Sequence, residues 1–458
     1  MSTPDPKTFD VNRFLDSRSI GRAHIVTVVL LIFTMIVDGY DIFLVGIVLP
    51  FLATDLGLAP ADLTIVVVVQ QFGLLLGNFV VGPIADRYGR RVTLLTCLTA
   101  FGALTLVAPF ASTVPEFVVL RFVTGVFLSG VIPNAIALVS EIMPTRVRAT
   151  FVSITFAGFT MGTTVVGAPV VKWLVPYGWE YAFVAGGVLP LLLVAVLYFA
   201  LPESLRFLAT HTPRDPRIPR QLRRLDASVA LAGDEVFVAR GAEAGAGKVP
   251  ILTLFRDGRA ATTLLLWVGF HMAFIVSNLM GTWRNQVLTD GGLSLNQIAS
   301  IMFFPGIAGV IGTLTSGYVM DRFGPTRVLP VYLAGASVAM AAIAFSDLPS
   351  VWMMLAFVVY GYFSNGGLSG LNALASITYP SQVRATGVSW AHAAGRAGSM
   401  VGPALGGALI ARSFGVSGVF LVTAVPQLCA GLAIFAMWRL HAGVRSGRAQ
   451  PRTEVAKG

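Results

Sequence analysis

Two acids stand in a stretch poorly suited to hold them: Ile36-Val37-Asp38-Gly39-Tyr40-Asp41-Ile42-Phe43-Leu44-Val45. The surrounding run, about 24–52, is long enough to cross a bilayer, at about 20 apolar residues per crossing. A carboxylate near the middle of a membrane helix costs about 3 kcal/mol even on lenient insertion scales, so it faces a bundle interior and has a task there. Asp38 and Asp41 are three residues apart and share a helical face. Two carboxylates that close cannot both stay charged cheaply away from water. The pair therefore reads as a group that takes up and releases a proton; the alternative is that both only neutralise membrane arginines. Two arginines lie deep enough to matter. At about 1.5 Å per residue, Arg121 falls about 9 Å below the outer end of its span and Asp41 about 15 Å below its own, so the two can meet. Arg396 falls about 16 Å from the inner end of its span, near the midplane, with His392 one turn nearer the inner side. A guanidinium grips a carboxylate through paired hydrogen bonds. The assignment adopted is Arg396 for an anionic ligand and Arg121 for tuning the acid pair, with the reverse left open. His392 titrates near neutrality and is a candidate proton relay, or else a packing residue.

The elements that must position these groups follow from composition. Of 458 residues, 55% are hydrophobic and 12% charged, with mean hydropathy +0.78. Soluble domains carry about twice that charge, so the chain reads as an all-α, multi-pass membrane protein. Twelve apolar segments can be drawn: 24–52, 62–84, 92–111, 115–140, 148–171, 180–201, 260–288, 297–319, 326–345, 349–378, 385–411 and 416–438. The formal charge of +10 does not point to nucleic acid, because Lys and Arg gather on one side of these segments. That asymmetry places both termini and the long central loop in the cytoplasm. The division expected is 1–201, a six-helix bundle; 202–259, a cytoplasmic linker too polar to span and too poor in aromatics for a large core; and 260–458, a second bundle with a cytoplasmic tail. Cys97 and Cys429 lie in separate apolar segments, which argues against a disulfide framework or metal site. Met1 to Ala23 carries no signal-peptide pattern.

Six spans, a loop and six spans suggest duplication, and the sequence repeats accordingly. Gly82-Pro83-Ile84-Ala85-Asp86-Arg87-Tyr88-Gly89-Arg90-Arg91 returns as Gly317-Tyr318-Val319-Met320-Asp321-Arg322-Phe323-Gly324. Pro144-Thr145-Arg146-Val147-Arg148-Ala149-Thr150 returns as Pro380-Ser381-Gln382-Val383-Arg384-Ala385-Thr386 at nearly the same offset. Two parallel halves with a midplane site are the layout of alternating-access carriers. A channel or chemoreceptor is disfavoured by the duplication. No Gly-x-x-x-x-Gly-Lys-Ser/Thr loop for ATP is found, and no nucleophile–base arrangement suggests an enzyme. No cofactor is expected.

The Gly-x-x-x-Asp-Arg-x-Gly-Arg-Arg loop resembles the hallmark of the major facilitator superfamily, over essentially the whole chain. Gly82 is expected to let two helices approach, while Asp86, Arg87, Arg90 and Arg91 bridge helix ends. The resemblance implies a conformational latch that stabilises the outward-facing state, with Asp321 and Arg322 in the second copy. The Asp38-Gly39-Tyr40-Asp41 signature with Gly46 and Pro50 resembles the aromatic acid:proton symporters, importers of benzoate-type carboxylates. Arg121 to Gly125, Gly130, Pro133-Asn134, Ser140-Glu141, and Gly395-Arg396-Ala397-Gly398 with Gly402-Pro403 agree with that branch. Phe127 to Ser129 and Gly281 to Asn285 depart from it. The resemblance implies an aromatic carboxylate imported with protons, by one chain, in a bacterial inner membrane. Its cavity is expected to be lined from the fourth, seventh and tenth spans, giving Asn134, Phe270, Phe274, Asn278, Tyr360, Tyr362, Asn365 and Asn372 as candidate contacts beside Arg121 and Arg396. Glu141 is expected to form a gate salt bridge with Arg146 and Arg148. The competing reading is a carrier of another organic anion, shikimate- or dicarboxylate-like, or of a sugar.

Overall fold

The computed structural model describes residues 8–226, 229, 231, 235–239, 251–256, 258–346, 350–379 and 383–448. It is nearly all helical. Eleven helical stretches among the described residues are long and apolar enough to cross a membrane. Another long helix, Arg384–Ala411, packs among them as the twelfth. In chain order the helices are α1 Val11–Ser17, α2 Arg22–Asp55, α3 Thr64–Tyr88, α4 Arg90–Val107, α5 Val114–Leu128, α6 Val131–Ile142 and α7 Arg148–Thr160. There follow the short α8 Gly167–Pro169, then α9 Glu180–Ala200, α10 Leu205–His211 and α11 Arg217–Leu225. The second half holds α12 Ala260–Asp290, α13 Leu295–Phe323, α14 Pro325–Ala344, α15 Val351–Thr378, α16 Arg384–Ala411 and α17 Gly415–Arg448. Helices α5 and α6 make one span, and α7 continues through π-wound turns on either side of α8.

Local sequence sets the boundaries. Ser294 caps α13 with Gln297 closing a capping box, and Ser350 caps α15 through the Met353 N–H. Gly89 and Gly324, the last residues of the two Asp-Arg-aromatic-Gly repeats, have φ of +105° and +86°. A side chain there would strain the backbone, so each glycine ends one span and starts the next. In one half, α3 packs on α5, α4 on α9 and α2 on α7; in the other, α12 packs on α16 and α17, and α13 on α15. Phe79, Phe110, Leu192, Phe199 and Val338 are among the large apolar side chains on the outer surface, where lipid covers them.

Part of the 202–259 segment, expected as a plain linker, builds a small cap with the N-terminal arm. Strand β1, Thr8–Asp10, pairs in parallel with β2, Val236–Val238. Val11, Phe14, Leu15, Leu205, Leu208, Ala209, Ile218, Leu222 and Phe237 form its buried core. Amphipathic α11 supplies Ile218 and Leu222 to that core, packs Leu225 against it and leaves its arginines outside. Asp16 pins the arm to the bundle by accepting from the Thr145 N–H (2.8 Å) and hydroxyl (3.0 Å). Arg18 pairs with Asp226 at 2.7 Å. The Thr145 N–H holds the Asp16 carboxyl below its usual range. That contribution is present above about pH 4 and fades as pH falls through the lowered value. Asp16→Ala should loosen the arm and speed tryptic cleavage at Arg18 and Arg22, read by a proteolysis time course; an unchanged rate would count against the pin.

Candidate functional site

The centre of the molecule is organised by α2, where Asp38 and Asp41 are both fully buried and point into the bundle rather than toward lipid. They have opposite surroundings. Asp41 accepts from the Thr105 hydroxyl at 2.6 Å and pairs with Arg121 at 3.0 Å. Arg121 also bonds the Asp41 carbonyl (3.0 Å), Thr105 Oγ1 (3.3 Å) and Gln70 Oε1 (3.3 Å), and lies 5.7 Å from the Phe183 ring centre. Four helices thus lock one ion pair in place. Asp38 differs: neither carboxylate oxygen has a partner among the described residues. The charges acting on it are Arg396 and Asp41.

Arg396 projects from α16 and makes no hydrogen bond or ion pair among the described residues. Its turn is walled by rings. His392 lies edge-on to Phe270 at 5.3 Å, Phe270 stacks on Phe274 at 6.1 Å, and Gly395 packs against the Phe274 ring. Beside it, Gln71 of α3 donates to Asn278 of α12, and Asn278 donates to Ser399 (3.0 Å) and the Phe274 carbonyl (3.0 Å). The two halves therefore meet through amides at this level. A free guanidinium, an unpartnered carboxylate and flat apolar walls can hold an aromatic anion and exchange a proton beside it.

The structure sorts the other candidates. Asn134 bonds its own Gly130 carbonyl, and Asn365 bonds Gly361 while turning toward Gly309 of α13, a helix-packing position. Tyr362 joins Tyr332 and Thr315 in a hydroxyl cluster. Tyr360 is buried beside Arg284, and Asn372 Oδ1 has no partner among the described residues. Glu141 is corrected in its partners: it accepts from Ser204 and lies 3.8 Å from Arg90. Arg146 instead reaches the Arg18 carbonyl and Arg148 reaches Asp16, because the cap draws that turn toward the N-terminal arm. Gly82 was expected at a close helix approach, yet a Cβ there meets nothing within 4 Å, and Gly317 is likewise open. Asp86 pairs with Arg90, Arg87 covers the Tyr88 ring, and the Arg91 N–H bonds Glu203 (3.0 Å). Arg322 covers Phe323; the side chain of Asp321, and Pro380 to Gln382, lie outside the described residues.

Beyond the midplane, on the side away from the cap, the halves close tightly. Gly46 of α2 backs onto the Gly281 carbonyl and Thr282 of α12, Gly281 meets Phe43, and Gly407 of α16 meets Thr64 of α3. Asn285 donates to the Ile47 carbonyl at 3.5 Å. A separate cavity under the cap, lined by Thr27, Glu141, Glu203, Ser204 and Arg224, lies well away from Arg396. Gln70, Gln71, Thr105 and Ser399 were not singled out from sequence. The glutamines had a signal, two adjacent amides in the middle of an otherwise apolar span.

A family model described as Major Facilitator Superfamily matches residues 31–349 and 265–457. The chain is 34% identical over 437 residues to a gallate transporter of Pseudomonas putida, covering 95% of this chain and 96% of that one. It is 32% identical to the 4-hydroxybenzoate transporter PcaK of Pseudomonas putida, covering 93% and 95%, and 28% identical to a benzoate transport protein of Acinetobacter baylyi, covering 94% and 92%. Among solved structures it resembles a D-xylose–proton symporter, with a TM-score of 0.69 at 17% identity, covering 91% of this chain and 98% of that one.

Proposed function

The chain belongs to the major facilitator superfamily, and from that premise we propose that it imports an aromatic carboxylate together with protons by alternating access. The observation that carries the reading is the pairing of an unengaged Arg396 with an unpartnered Asp38 in the ring-walled centre. Arg121 is spoken for by Asp41, Thr105 and Gln70, which leaves Arg396 to receive the cargo's carboxylate. Asp38 takes the proton: with it neutral, Arg396 is free for the anion, and with it charged, the two acid–base partners attract each other and the anion is released. Asp41 keeps Arg121 in position. The lysine and arginine bias sets the cap and both termini in the cytoplasm, and the inner membrane is the natural address. The far-side seal and the disengaged latch at Gly82 then describe a carrier shut toward the outside.

The test is uptake into proteoliposomes of labelled benzoate, 4-hydroxybenzoate and gallate under an imposed pH gradient, with shikimate and xylose as competitors. Aromatic acids should accumulate, and a protonophore should abolish accumulation. Asp38→Asn should still equilibrate label without concentrating it. Arg396→Gln should weaken cargo binding by about 10- to 150-fold, the loss of a charged hydrogen-bonded contact. Concentrative uptake by Asp38→Asn, or competition by shikimate or xylose alone, would overturn the reading.

A further inference from the structure

Gln71 of α3 is a buried amide that the central ion pair does not use, and a chain of hydrogen bonds fixes which way it turns. Asn278 of α12 gives its N–H groups to the Phe274 carbonyl and to Ser399 Oγ, each at 3.0 Å. The Phe274 carbonyl can only accept, and Ser399 sends its own proton to the Gly395 carbonyl at 3.4 Å. Asn278 therefore turns its oxygen to Gln71, and Gln71 must answer with its amide N–H. That leaves Gln71 Oε1 buried, with no donor among the described residues. The adjacent Gln70 is held the other way, because its oxygen takes the Arg121 Nε–H at 3.3 Å.

Depth places the Gln71 oxygen above the guanidinium of the central site. The spans containing α3 and α16 run in opposite directions, and Gly407 of α16 meets Thr64 of α3. Seven residues inward of that contact, Gln71 is level with about residue 400, in agreement with its link through Asn278 to Ser399. Arg396 is four residues deeper, about 6 Å along the helix. That separation is close to the reach of a benzoate from its carboxylate to its para position. Phe274 stands one turn inward of Asn278, with its ring against Gly395, and so flanks the interval with a flat apolar wall. A buried acceptor left without a donor costs about 1–3 kcal/mol. A hydroxyl at the far end of the cargo's ring supplies the missing proton.

We propose that Gln71 is a specificity-determining residue: its Oε1 accepts a hydrogen bond from a para hydroxyl of the aromatic acid held at Arg396. Para-hydroxylated acids then bind more tightly than benzoate. The proposal rests on the import reading above and names the class of acid within it. Arg396 holds the charged end of the cargo, and Gln71 reads the opposite end.

The test is equilibrium binding to the purified full chain, read by isothermal titration calorimetry with benzoate, 4-hydroxybenzoate, 4-methoxybenzoate and 2-hydroxybenzoate. In the wild type, 4-hydroxybenzoate should bind about tenfold more tightly than benzoate, the effect of one hydrogen bond to a buried acceptor. 4-Methoxybenzoate keeps the oxygen without the proton, and 2-hydroxybenzoate carries its hydroxyl beside the carboxylate; neither should show the gain. Gln71→Leu removes the acceptor and also the bond to Asn278. Benzoate registers the second loss alone, so the preference for 4-hydroxybenzoate over benzoate should fall from about tenfold to less than about twofold. Gln71→Met, closer in shape to glutamine, serves if the leucine variant does not fold. Equal binding of 4-hydroxybenzoate and 4-methoxybenzoate by the wild type overturns the proposal. So does a preference that survives the loss of Gln71, or a loss of the same size for every acid. A wild type that binds none of these acids overturns the import reading itself, and this proposal with it.

Discussion

Gly46→Ala should abolish net uptake while leaving binding of cargo from the outside intact. A Cβ at this position lies 2.5 Å from the Gly281 carbonyl oxygen and 2.6 Å from Thr282 Cα, both backbone atoms of the opposite half. Real Cβ atoms do not come that close, and backbone on a packed helix cannot swing aside as a long side chain can. Helices α2 and α12 must therefore separate by about an ångström, and the cost falls on the closed state alone. Displacing a helix pair that far costs a few kcal/mol, and about 3 kcal/mol makes the closed state over 100-fold rarer. Transport requires that state and binding from outside does not. Uptake below about 5% of wild type with retained binding of labelled acid is the expected pattern. Gly407→Ala, which meets the Thr64 side chain instead, should be milder because that hydroxyl can rotate. If Gly46→Ala transports normally, the contact is not part of the cycle.

Asp41→Asn should be the most destabilising single change among the membrane carboxylates, and Asp38→Asn among the least. Asp41 and Arg121 are both 0% exposed, and the arginine directs three of its contacts at that one residue. Removing the carboxylate's charge leaves a guanidinium in the bundle core with no counter-ion, a loss of about 3–5 kcal/mol. Asp38 loses no hydrogen bond on amidation, because it makes none among the described residues. Thermal unfolding of the purified variants, followed by tryptophan fluorescence, should rank them in that order. The double variant Asp41→Asn/Arg121→Gln should regain most of the lost stability without regaining transport, since the charge is gone but so is the framework beside Asp38. Equal unfolding temperatures for the two single variants would refute the division of labour between structural and proton-carrying acids.

Much of this architecture is written in the linear chain. Span positions follow from apolar length, since an unpaired backbone is intolerable in lipid and only long helices satisfy it. The positions drawn for Leu295–Phe323 and Val351–Thr378 fall within a few residues of the helices. The halves are visible because the Asp-Arg-aromatic-Gly signature recurs, and Gly89 and Gly324 take the same left-handed turn. The meeting of Arg121 with Asp41 was reachable from depth alone, because rise per residue is fixed.

What the tertiary structure decided is which group faces which. Depth does not specify helix rotation, and these spans are apolar nearly all round, so their periodicity carries little angular information. Sequence left Arg121 and Arg396 interchangeable; packing engages the first with Asp41, Thr105 and Gln70 and leaves the second free. Sequence set Glu141 beside Arg146 and Arg148, and the packed bundle gives it Arg90 instead. The cap's small core needed residues 11–15 and 205–237 together, a pairing that no local pattern announces. Each of these is a choice of neighbour made by the whole bundle, and such choices exist only once the helices have been packed.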